Sequence, residues 1–115
     1  MQYIFIAMGV TRTDLYTDKQ NALALAAKAI AHPARIAIID YLLKTNACIT
    51  GDLVEEIGLA QATISQHLRE LKEAEIIQGT IEGASVSYCI NPSRWNEIRE
   101  NFNKLFDSYN DPSCC

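Results

Sequence analysis

The chain has 115 residues, 49% hydrophobic and 21% charged, the composition of one folded domain with a single core. Its net charge of −4 excludes the broad basic surface on which sequence-independent nucleic-acid binding depends, and leaves room only for DNA contacts that are few and local. No apolar run approaches the roughly 20 residues of a membrane span, and the apolar stretch 3–8, short and without a basic flank, fails as a secretory signal.

Residues 1–16 read as an N-terminal extension, with Met8 a candidate start. Thr17-Asp18-Lys19-Gln20 fits a capping box and predicts a first helix over 17–31, in which Leu23, Ala26, Ala27 and Ile30 recur at helical spacing. Pro33 suits the first position of a second helix over 33–44, with a stripe of Ile36, Ile39 and Leu43 and with Ile38 and Leu42 beside it. Thr50 can cap a short third helix over 51–57, which Gly58 stops. A fourth helix follows over 61–74. Its apolar stripe is Ile64, Leu68 and Leu71, and its other face carries Gln61, Thr63, Ser65, Gln66, Arg69 and Glu70. The β-rich segments 76–81 and 85–90 flank Glu82-Gly83-Ala84 and predict a hairpin. Asn91-Pro92-Ser93 opens a last helix, on which Trp95, Ile98, Phe102, Leu105 and Tyr109 repeat as an a/d seam widened by Phe106. Asn110 to Ser113 ends it, and 110–115 form a tail that carries Cys114 and Cys115.

The expected architecture is mainly α with a small β-hairpin (α+β): a winged helix-turn-helix of about five helices over 17–109. The third and fourth helices, joined through Gly58, have the form of a helix-turn-helix, whose second helix enters the major groove of double-stranded DNA. Candidate DNA contacts are therefore Gln61, Thr63, Ser65 and Gln66, with Arg69, Arg35 and Lys72 as phosphate contacts. Glutamine pairs with adenine through two hydrogen bonds, and hydroxyls serve either base type or a phosphate. His67 reads equally as a DNA contact or as a packed helix residue. The bland alternative for this face is the solvated side of an amphipathic helix.

Three segments carry a resemblance to a known family. They are Ala31-His32-Pro33-Ala34-Arg35-Ile36-Ala37-Ile38-Ile39, the run Gly58-Leu59-Ala60-Gln61-Ala62-Thr63-Ile64-Ser65-Gln66-His67-Leu68-Arg69-Glu70-Leu71, and the wing from Gly79 to Tyr88. Over about residues 20–105 the chain resembles the ArsR/SmtB winged-helix metalloregulators, closest to arsenic-operon repressors. The resemblance implies a repressor that is a homodimer through its first and last helices, binding a palindromic operator; the apolar seam of the last helix also asks for a partner. The sequence departs from the family pattern at Ala60, where a capping Ser or Thr is common, at Gln66, in place of a common His, and at Glu82, where the wing is often basic.

Family members sense ions at a Cys-x-Cys site before the third helix or at a His and carboxylate site on the last helix. Here the first region has only Cys48, and no histidine follows His67. That leaves thiol chemistry, which suits soft ions. The expected inducer is As(III) or Sb(III), bound by Cys114 and Cys115 with Cys48 or Cys89 as third ligand. No cofactor is required. Three other readings stand beside it: an untethered cysteine tail, Cys89 as a small buried hydrophobe, and a Cys48–Cys89 redox pair. Without a secretory signal the expected compartment is the reducing cytoplasm. No phosphate loop, Cys-x-x-Cys or nucleophile elbow supports an enzyme, so the rival class is a winged-helix protein-interaction module.

Overall fold

The computed structural model describes residues 12–45, 58–82 and 85–110. The expected short helix over 51–57 and the cysteines Cys48, Cys114 and Cys115 lie outside them. A 3-10 turn, Thr13–Leu15, precedes α1 (Asp18–Ile30). The Thr17 hydroxyl accepts from the Gln20 amide at 3.0 Å, and Gln20 Oε1 accepts from the Thr17 amide at 3.0 Å. The expected capping box is therefore present and satisfies two donors that have no acceptor within the helix.

α2 (Pro33–Thr45) opens on its proline and buries Ile38, Ile39 and Leu42. The expected stripe through Ile36 and Leu43 is wrong: these two are 50% and 45% exposed. Five apolar side chains within eight positions span more of the helix than one face. Packing against α1, against the helix Gln61–Glu73 and against the strand Ser85–Ile90 selects the arc around Ile38 and Leu42.

α3 (Gln61–Glu73) buries Ile64, Leu68 and Leu71, the stripe its spacing predicts. Ala60 stands at its N-cap in an extended conformation and offers no side-chain cap. The other end closes tightly. Glu75 adopts φ 64°, the left-handed region. Its amide donates to the Lys72 carbonyl at 2.9 Å, and the Ile76 amide donates to the Leu71 carbonyl at 3.0 Å. This is a Schellman closure built without the usual glycine.

The chain passes directly into β1 (Ile77–Glu82), which pairs antiparallel with β2 (Ser85–Ile90) in the register Ile77↔Ile90 to Glu82↔Ser85. Gly79 sits at φ 129°, and a Cβ there would run into the Ser87 carbonyl oxygen. Only glycine lets the two strands approach at this point. Tyr88, fully buried, reaches from β2 into the core beside Ile76 and Ile77.

α4 (Pro92–Asp107) starts from Asn91, whose side chain accepts the Arg94 amide, and has proline in its first turn. It ends before Tyr109, earlier than the heptad pattern suggests. At that end the Ser108 hydroxyl shares its one proton between the carbonyls of Lys104 (2.7 Å) and Leu105 (2.9 Å). α1 packs against α4, and α3 against β1. The described architecture is thus four helices and a two-stranded hairpin around one core. Among the described residues no single helix is long and apolar enough to cross a membrane.

Candidate nucleic-acid interface

With Ile64, Leu68 and Leu71 turned inward, α3 must present the opposite side to its surroundings. Thr63, Gln66, Arg69 and Lys72 are exposed, Ser65 is half-buried, and Gln61 opens the helix. Among the expected phosphate contacts, Arg69 and Lys72 are therefore free to reach outward. The Gln66 side-chain amide donates to Glu70 Oε1 at 3.2 Å, one turn along the helix.

His67 belongs elsewhere. It is 8% exposed, and its ring centroid lies 4.5 Å from that of His32. Arg35 Nε donates to His67 Nδ1 at 3.1 Å, and Arg35 Nη1 donates to the Ala29 carbonyl at 3.0 Å. His32 Nδ1 in turn accepts the Ala34 amide at 3.0 Å. Burial above all, then the neighbouring His32 and Arg35, holds His67 below its ordinary pKa against an opposing effect of Glu70. His67 stitches α3 to α2 from behind the outward face, and Arg35 is engaged in the same stitch rather than free for phosphate. A signal for this existed: Ile64, His67, Leu68 and Leu71 together fill the i, i+3, i+4, i+7 pattern of a packed face. The partner Arg35, 32 residues away, had none.

In the hairpin, Gln78 faces Cys89 across the strands and its Nε2 lies 3.9 Å from Cys89 Sγ. Cys89 is half-buried and disulfide-bonded, not the simple buried hydrophobe its strand position allowed. Among the described residues no group of three or more His, Cys, Asp or Glu is placed to hold a metal ion.

Beyond the core, α4 leaves a continuous apolar face. Trp95 and Phe102 are half-buried, whereas Leu105, Phe106 and Tyr109 are 54%, 66% and 73% exposed. Phe106 stacks on Phe102 at 5.8 Å. Leu25 adds a further exposed apolar side chain from α1.

Comparison with known proteins gives this arrangement a family. The family model described as "Bacterial regulatory protein, arsR family" matches residues 32–78, from the start of α2 into β1. The chain is similar to the transcriptional repressor SdpR of Bacillus subtilis, 39% identical over 64 residues that cover 56% of this chain and 70% of that protein. It is also similar to the HTH-type transcriptional regulator CmtR of Mycobacterium tuberculosis, 33% identical over 75 residues, spanning 65% of this chain and 63% of CmtR. Among solved structures, NolR from Sinorhizobium fredii shares the fold, with a TM-score of 0.59 at 22% identity over 88% of this chain and 95% of that one. With an outward polar helix, a hairpin beside it and these relatives, the chain belongs to the ArsR family of bacterial regulatory proteins, DNA-binding winged-helix transcriptional regulators rather than enzymes.

Proposed function

We propose that this protein is a transcriptional repressor that binds operator DNA as a homodimer and is released by a thiophilic ion, As(III) or Sb(III). The observation that carries the DNA half is α3: its apolar seam is buried while Thr63, Gln66, Arg69 and Lys72 face outward. Gln61 and Ser65 complete the proposed reading face, which would lie in the major groove with the hairpin alongside. Two-fold symmetry then requires a palindromic site. The exposed apolar end of α4 supports the dimer, since a small domain gains by covering such a patch.

The inducer half rests on ligand chemistry. The chain holds four cysteines and no histidine after His67, a donor set that favours soft ions over zinc. Cys114 and Cys115 are the proposed first two ligands, with Cys48 or Cys89 as the third. The ion releases DNA only to the extent that it binds the DNA-free conformation more tightly than the DNA-bound one. The test is a gel shift of the reduced protein on its own promoter, with and without arsenite, for the wild type and for Cys114→Ser combined with Cys115→Ser. Arsenite should release the wild type and leave the double variant bound. Full release of the double variant would remove the tail from the mechanism.

The disulfide at Cys89 favours a second reading, a repressor switched by oxidation. A reducing cytoplasm keeps thiols free, so this bond would mark an oxidised state of the wing. Release by a mild oxidant without arsenite, abolished in Cys89→Ser, would support it over the ion.

A further inference from the structure

We infer that Glu70 is a positioning residue for base reading: by accepting a hydrogen bond from Gln66, it fixes which end of that amide meets the duplex and so commits Gln66 to adenine. The inference rests on α3 being the groove-entering helix, as proposed above.

A glutamine amide has nearly the same shape at both ends and opposite chemistry. Turning it over exchanges an acceptor for a pair of donors. Free in water, an exposed glutamine samples both orientations and can satisfy several bases. Gln66 is not free in this way. Its Nε2 lies 3.2 Å from Glu70 Oε1, at the i, i+4 spacing that brings side chains together on one helix face. A carboxylate can only accept, so it holds the NH2 end and turns the amide oxygen away. One N–H and the whole carbonyl then remain available. Those are the donor and the acceptor that N7 and the N6 amino group of adenine require. Guanine presents two acceptors on the same edge, and the outward carbonyl would face one of them.

Besides Gln66, Glu70 acts among the described residues only at a distance, through its charge on His67. The cations that line the cleft with it are Lys28 and Arg35. Arg35 directs its guanidinium at His67 and Ala29, and no described ion pair includes Glu70. As a negative charge beside the proposed interface, half-buried in that cleft, Glu70 also weakens sequence-independent binding.

The reduced, full-length protein is equilibrated with a pool of duplexes whose centre is randomised, and the bound sequences are read. The wild type should enrich adenine at one position of each half-site. Glu70→Ala should lose that preference by about tenfold, while its affinity for the unselected pool holds or rises. Glu70→Gln, whose amide can donate to the Gln66 oxygen as readily as it accepts from the nitrogen, should leave the preference close to that of Glu70→Ala although the pair still bonds. A merely destabilised helix would lose both quantities together, which separates positioning from folding. If Gln66→Ala flattens the adenine column and Glu70→Ala does not, the clamp is wrong and the α3 reading stands. If Gln66→Ala leaves the column intact, or the wild type enriches no sequence, the reading of α3 fails and the inference goes with it.

Discussion

His67 accepts a hydrogen bond from Arg35, so its Nδ1 carries no proton and the ring is neutral. Protonation would set a new N–H against a guanidinium donor, with His32 packed on one side and Glu70 as the one nearby group that favours the charge. Folding therefore lowers the affinity of this histidine for a proton. Between its folded value and the ordinary 6.5, the unfolded chain binds more protons, and stability falls as the solution is acidified. The contribution of neutral His67 is whole above about pH 6.5 and is lost as the pH drops towards the folded value. Melting curves at about pH 7.5 and about pH 5.5 should show this fall in the wild type. It should be shallower in His67→Gln, whose amide oxygen can accept from Arg35 but does not titrate; an equal fall in the variant would assign the effect to other groups. Tyr88 poses the opposite problem. Its hydroxyl is buried with no hydrogen-bond partner among the described residues, and burial, with Tyr41 nearby, pushes its pKa up. Because an unsatisfied buried hydroxyl costs about 1–3 kcal/mol, Tyr88→Phe should raise stability to chemical denaturation by about 1 kcal/mol. A loss of stability would reveal a partner for the hydroxyl.

Helix α3 begins without a capping side chain and ends in a strained left-handed residue, yet it carries the proposed reading face. Ala60 already has the extended backbone of an N-cap, at φ −63° and ψ 150°. Ala60→Ser should therefore satisfy a free amide without rearrangement and stabilise the fold by about 1 kcal/mol, read from the denaturation midpoint. No gain would mean that solvent or another group already serves those amides. Much of this level was legible in advance. The Thr17–Gln20 capping box, the α3 seam and the presence of the hairpin all follow from short-range pattern, because the residues that decide them are close in sequence. What was not legible depends on distant packing. The buried arc of α2 is chosen by neighbours, since its apolar residues nearly surround it. The left-handed Glu75 carries no compositional mark, where glycine would have announced it. The pairing of Arg35 with His67, which takes both from the candidate DNA face, joins residues from two helices.

At the level of the whole molecule, the exposed Leu105, Phe106 and Tyr109 have no covering element among the described residues, and the proposed dimer assigns them to a second copy. Phe106→Glu should put a charge into that face and shift the protein to monomer in sedimentation, with at least tenfold weaker operator binding, on the order of the 1.4 kcal/mol that one decade represents. A variant that stays dimeric would move the interface elsewhere. The three residues between α3 and β1, Ala74 to Ile76, also hold α4. The Asn91 amide donates to the Ile76 carbonyl at 2.9 Å, and Arg94 Nε donates to the Ala74 carbonyl at 3.4 Å. The root of α4 is thus pinned to the heel of α3 and the foot of the hairpin at a single knot. In the proposed dimer, a slide or tilt of one α4 against its twin would act there as on a short lever, swinging helix and hairpin together instead of bending either one. A small change of fit between two copies would in this way become a change in the distance between their reading heads.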